Sequence, residues 1–291
     1  TFRFDGGGYL PTGNQQVFVV PADGGTPRQM TSGDYPISGS VSWMPDSQSI
    51  VFSSNRREDV EYHPRQNDLY AASMTTGELT QMTDHGGPEG NPTVSPNGRH
   101  LAYTSAADIR QGYNRADLRV MDLRSGESRS LTADLDRSVS DIQWSADSKS
   151  VWIRYNDLGM ARIAEVDLKG NLKQADIVLG GTALGRPYTS GTFSVGGKDR
   201  IAYTLGRDDR PADLALMRSG KQPLQLTDLN SDLMGQREMS RVERMVWPSS
   251  HDGLEIEGWV MKPPGFDPDK QYPMILEIHG GPHSAYGPNY S

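Results

Sequence analysis

The stretch MILEIHGGPHSAYG, Met274 to Gly287, holds the residues with the clearest chemical potential in the chain. A near-continuous apolar run reads as a strand, and at His279 it breaks into two glycines and Pro282. Glycine has no Cβ, so the N–H groups of Gly280 and Gly281 can be turned towards a negative charge at close range. Amides held that way stabilise the tetrahedral oxyanion of an acyl transfer. The competing reading is an ordinary strand-to-helix turn that needs glycine only for its bend. Strand, histidine, glycine pair and proline together favour the oxyanion reading.

His279 does not fit the general base. In α/β-hydrolases the base follows the nucleophile in chain order, and the oxyanion donor sits in the loop after the third strand. His279 either shapes the turn through a ring hydrogen bond or is purely structural. His283 and Tyr286 border the turn, as pocket wall or as loop packing. No G-x-S-x-G occurs in the 291 residues, so a nucleophile with its acid and base is expected outside this sequence.

The rest of the chain must position that turn. Its composition suits a turn-rich, soluble protein: 32 Gly, 19 Pro, no Cys and 35% apolar residues. Without cysteine there are no disulfides and no thiolate-bound zinc or iron–sulfur centres. A net charge of -8, with no Lys/Arg runs, argues against a nucleic-acid partner. No apolar stretch is long enough for a membrane helix. His63, His85 and His100 lack metal-ligand spacing, so neither metal nor cofactor is expected. Nothing decides between cytoplasm and periplasm.

Four segments share one layout of turn and alternating strand: VSWMPDSQSIVFSS, PTVSPNGRHLAYTS, DIQWSADSKSVWIRY and GTFSVGGKDRIAYTL. Their equivalent positions, Ile50, Leu101, Val151 and Ile201, are 51, 50 and 50 residues apart. Between them recur pairs of shorter strands that usually close on Leu-Thr or Met-Thr. Four short strands per repeat of this length is the arithmetic of a β-propeller blade. A single blade cannot cover both of its faces, so Trp43, Trp144, Phe52, Tyr103 and Tyr203 are expected between blades. The PDS, PNG and ADS turns read as hairpin punctuation. The count is about four and a half blades of an expected seven, which places missing blades before Thr1.

The repeat dissolves between Asn230 and Arg241. Two extended runs then follow, Val242 to Trp247 and Leu254 to Lys262, joined by a Ser-Ser-His-Asp-Gly turn. They read as an antiparallel hairpin that opens a second domain, with the Met274 run as its third strand. The expected division is 1–235 for an incomplete propeller and 236–291 for the start of an α/β-hydrolase domain truncated before its nucleophile.

The stretch DGLEIEGWVMKPPGFDPDKQYPMILEIHGGPHSAYG resembles the start of the catalytic domain in the prolyl oligopeptidase family of serine peptidases, in its acylaminoacyl and dipeptidyl peptidase branch. FRFDGGGYLP and GGTPRQMTSGDY also fit that branch. The resemblance implies a propeller that limits substrate access to a buried Ser-Asp-His triad, short peptides as substrates, and Gly280 and Gly281 as the oxyanion loop. It implies that the fragment alone is inactive; oligomeric state is left open, between a homo-oligomer and association with the rest of the same protein. Some relatives carry a Tyr hydroxyl where His279 stands, which leaves side-chain help at that position open. The charged loop Asn55 to Asp68, with Glu58, Glu61, His63 and Arg65, reads as a solvated loop or a substrate-facing one, and so does Ala107 to Asp117. The alternatives are a non-catalytic propeller that binds proteins and an esterase or lipase on the same core.

Overall fold

A computed structural model describes residues 2–3, 8–9, 12–108, 113–183, 185–197, 200–218 and 221–291. The chain forms two compact units, Thr1–Ala133 and Asp134–Ser291.

The first unit opens with two small antiparallel sheets, β1 (Phe2–Arg3) with β2 (Gly8–Tyr9), then β3 (Phe18–Val19) with β4 (Arg28–Gln29). Two four-stranded meanders follow. The first is β5 (Ile37–Trp43), β6 (Ser49–Ser54), β7 (Asp68–Ser73) and β8 (Leu79–Gln81). The second is β9 (Glu89–Val94), β10 (His100–Ser105), β11 (Asp117–Asp122) and β12 (Ser128–Ser130). The second unit repeats the pattern twice. Its first meander is β13 (Val139–Trp144), β14 (Ser150–Asp157), β15 (Met160–Asp167) and β16 (Leu172–Gln174). Its next is β17 (Phe193–Gly196), β18 (Arg200–Leu205), β19 (Asp213–Arg218) and β20 (Leu224–Gln225). The short helix α1 (Ser231–Met234) leads to a hairpin of β21 (Val242–Pro248) and β22 (Glu255–Met261). Four complete propeller-type sheets and the two-stranded β3–β4 sheet match the repeat count read from the sequence.

Period-two alternation explains why the sheets stack. On β6, Ile50 and Phe52 face Val17, Met30, Tyr70 and Ala72, while Val51 between them joins Leu69, Val94, Leu101 and Tyr103. One strand therefore seals two interfaces. In the second unit Phe193, Ile201, Tyr203 and Ala215 close on Ala161, Ile163, Ile177 and Leu179. Burial of each of the larger aliphatic and Phe side chains contributes roughly 1.5–3 kcal/mol. Phe52, Tyr103, Trp144 and Tyr203 are buried as expected, but Trp43 is 46% exposed. Among the described residues the sheet before β5 consists of β3 and β4 alone, which leaves part of the β5 surface without cover.

The repeated turns are built alike. Asp46, Asn97 and Asp147 each accept, through Oδ1, the backbone N–H two residues on, at 2.9, 3.0 and 3.1 Å. The intervening Ser47, Gly98 and Ser148 take φ of 58°, 70° and 62°. These side chains are occupied in reversing the chain.

Candidate active site

The glycine turn belongs to the second unit, and one expectation about it needs correction. The Met274 run forms no strand. Met274, Ile275, Leu276 and Ile278 are 85%, 93%, 74% and 77% exposed, and no strand pairs with them among the described residues. A strand apolar on both faces forms only where neighbours bond its amides and cover both sides. The hairpin β21–β22, by contrast, satisfies its inner amides by its own register and forms as read.

Within the turn the two glycines differ. Gly281 adopts φ +150°, and a Cβ there would lie 3.0 Å from the His283 nitrogen and 3.1 Å from the Ser284 Cβ. Only glycine fits without strain. A Cβ on Gly280 would meet the Tyr188 hydroxyl at an ordinary 3.6 Å. The Gly280 N–H donates to that hydroxyl at 3.3 Å, and the N–H of Ser284 closes the bend onto the Pro282 carbonyl at 2.9 Å. The His279 Nδ1 lies 3.0 Å from the Gly280 carbonyl oxygen, and its ring meets that of Tyr286 edge-on at 5.6 Å.

The partners of the turn come from residues 186–189, in the connection between β16 and β17. The Thr189 N–H donates to the Ala285 carbonyl at 3.2 Å, and the Gly287 N–H donates to the Pro187 carbonyl at 2.8 Å. Between these bonds Tyr188 pairs with Tyr286, their rings edge-on at 4.9 Å. Arg186 forms an ion pair with Glu277 and donates to the Tyr286 hydroxyl at 3.1 Å, which itself donates to Glu277 at 3.1 Å.

Two further anchors hold this part of the chain. Trp259 on β22 donates its indole N–H to the Tyr286 carbonyl at 2.8 Å. It sits over Gly159, at φ +67° in the β14–β15 turn, where a Cβ would lie 2.8 Å from both the indole and that carbonyl. Ahead of β21, Arg241 bonds Asp208 at 2.8 Å and Asp209 at 3.3 Å, while the Val242 N–H donates to Asp208 at 3.2 Å. A cavity of about 500 Å³ opens beside this cluster, lined by Leu205, Arg207, Asp208, Arg210, Arg241 and Asn289.

The charged loop of the first unit folds largely on itself. Asp59 takes Arg57 at 2.9 Å and His63 at 3.4 Å, and the Asn55 amide donates to the His63 carbonyl at 2.7 Å. Of the Ala107 to Asp117 segment, residues 109–112 lie outside the described residues. Sequence reasoning passed over Glu89, which is 1% exposed at the start of β9, with no hydrogen bond completed at either carboxyl oxygen. Burial pushes its carboxyl up to about 7, against the neighbouring Thr83 hydroxyl, with Asp68 adding to the rise and Arg119 opposing it. A cavity of about 360 Å³ lies against it, lined also by Arg65, Asn67, Thr104, Tyr113 and Asn114. Tyr188 and Arg186 were missed as well, because GRPYTS lies between repeats and carries no periodic signal.

Comparison with known proteins agrees with this architecture. Residues 9–108 match the dipeptidyl peptidase IV (DPP IV) N-terminal region. Dipeptidyl-peptidase 5 of Porphyromonas gingivalis is 29% identical over 84% of this chain and 35% of its own length. The uncharacterized peptidase YuxL of Bacillus subtilis is 26% identical over 94% of this chain and 55% of its own. The chain thus spans about a third to just over half the length of these curated relatives. The solved acylaminoacyl peptidase of Pyrococcus horikoshii superposes with a TM-score of 0.66 at 20% identity, covering 88% of this chain and 36% of that one, and so shares the fold. A solved TolB of Acinetobacter baumannii shares it too, so the sheets alone do not separate a peptidase from another propeller. Matched region, relatives and fold together bear out the resemblance read from the sequence: the chain is similar to dipeptidyl peptidases in sequence and to an acylaminoacyl peptidase in fold.

Proposed function

We propose that this chain supplies propeller blades and the oxyanion loop of a serine-type peptidase that cleaves short peptides. The Ser-Asp-His triad lies in sequence beyond Ser291, where G-x-S-x-G and then Asp and His follow in that order. The serine attacks the scissile carbonyl as the histidine takes its proton, a backbone N–H of the Gly280–Gly281 loop holds the resulting oxyanion, and collapse breaks the C–N bond, the amine leaving with that proton and an acyl-enzyme remaining for water. The residue after the serine supplies the second donor. The propeller restricts entry, so that only short or flexible peptides reach the serine. Residues 1–235 act as the gate and residues 236–291 open the catalytic domain.

The observation that carries the reading is the turn itself. Gly281 holds a φ of +150° that only glycine adopts without strain, directly after the histidine and Gly280 of the His-Gly-Gly-Pro sequence. Relatives named as dipeptidyl peptidases support the same direction. The test is to express the reading frame through and beyond Ser291 and treat it with a fluorophosphonate probe and with dipeptidyl chromogenic substrates. Labelling of one serine, with release of the chromophore, is the expected result. A purified protein extending several hundred residues past Ser291 that neither labels nor hydrolyses these substrates would sink the proposal.

A further inference from the structure

We propose that Tyr188, a residue of the blade connection, is a positioning residue for the glycine turn, its hydroxyl holding the Gly280 N–H until a developing oxyanion takes that amide over. The inference rests on the reading of the turn as an oxyanion site. An amide hydrogen serves one strong acceptor at a time, and here the acceptor is a neutral phenol oxygen at 3.3 Å. That distance lies beyond the usual range for N–H···O bonds, so the contact is weak. An anionic oxygen forms a bond about twice as strong as a neutral one and displaces the phenol readily. The contact thus keeps the amide aimed at a substrate without competing for it.

Three observations show that the hydroxyl is held in place. Backbone bonds on either side of Tyr188, from Thr189 to Ala285 and from Gly287 to Pro187, fix residue 188 opposite residue 286. The Tyr286 ring packs edge-on against the Tyr188 ring at 4.9 Å, which limits its rotation. Arg186 ties the same connection to Glu277, three residues before Gly280. Blade connection and glycine turn therefore move as one piece, and a change at residues 186–189 reaches the Gly280 amide directly.

The test uses the 291-residue chain with isotope-labelled glycine and threonine and reads amide-proton exchange by NMR. In Tyr188→Phe the Gly280 amide exchanges roughly threefold to tenfold faster, the range expected for losing one modest hydrogen bond. Gly287 and Thr189, bonded to backbone carbonyls, keep their rates. Arg186→Gln, which cuts the ion pair but leaves the hydroxyl, accelerates Gly280 by less than Tyr188→Phe does. An unchanged Gly280 in Tyr188→Phe overturns the proposal, and so does equal acceleration at all three amides, which would mean general loosening. If Gly280 responds as expected but Gly281→Ala leaves peptide turnover by the longer protein intact, the positioning role stands and the oxyanion reading falls. If turnover needs Gly281 and Gly280 exchange ignores Tyr188, the reverse holds.

Discussion

Glu89 offers the sharpest quantitative test of the first unit. Its carboxyl is buried beside β10 with neither oxygen hydrogen-bonded, and burial raises its pKa from 4.5 to about 7. The folded chain therefore binds the Glu89 proton more tightly than the unfolded chain does. Between pH 4.5 and 7 the folded state carries more of this proton, so stability falls as pH rises through that window. Below the window the contribution is fully present, and above it the loss is complete. At 1.36 kcal/mol per pH unit the rise corresponds to about 3 kcal/mol. Glu89→Gln keeps the shape and removes the charge. At pH 8 it is expected to stabilise the first unit by up to about 3 kcal/mol, and at pH 4 to change little. The assay is urea unfolding at both pH values, with hydrogen exchange of the peptide spanning 100–105 reporting the β10 amides that pair with β9. A Gln variant whose gain is the same at pH 4 and pH 8, or which is less stable at pH 8, refutes the reasoning.

Other consequences follow from the turns and notches. Ser47, exposed at φ 58°, is expected to gain about 0.5–1 kcal/mol of stability when replaced by glycine, and Gly98→Ala at φ 70° to lose about as much, both read from unfolding midpoints. Gly159→Val places side-chain atoms where the Trp259 indole and the Tyr286 carbonyl sit, so it should cost roughly 1–3 kcal/mol and accelerate exchange of the Gly287 amide. Arg241→Ala leaves Asp208 and Asp209 without their common cation. The Val242 N–H still has its Asp208 acceptor, so the loss should be no more than about 1 kcal/mol and should shrink in high salt.

The blades were legible because their information is local and repeated. Ile50, Leu101, Val151 and Ile201 recur at nearly constant spacing, and the Asx turns before the first three reverse the chain by contacts within three residues. The hairpin β21–β22 was legible for the same reason, since each strand carries its partner nearby. Trp43 was misread because its cover depends on a neighbouring sheet and not on its own strand. Met274 to Ile278 shows the same limit: its apolar pattern specifies a strand only in the company of a sheet. The glycine pair was visible as a motif, but its partner Tyr188 stands 92 residues earlier in an irregular connection. Glu89 carries no signal in the sequence, because only packing reveals that it is buried.

The account rests most heavily on the amides of the glycine turn. Steady-state kinetics of the longer protein with Gly281→Ala against wild type, on one chromogenic dipeptide, address them directly. The Cβ would press on the His283 nitrogen and the Ser284 side chain and force the turn out of shape. Losing an oxyanion donor costs about 10²–10³ in kcat, so a fall of that order with KM within a few-fold is the predicted result. Turnover that persists at the wild-type kcat would show that no oxyanion is held here.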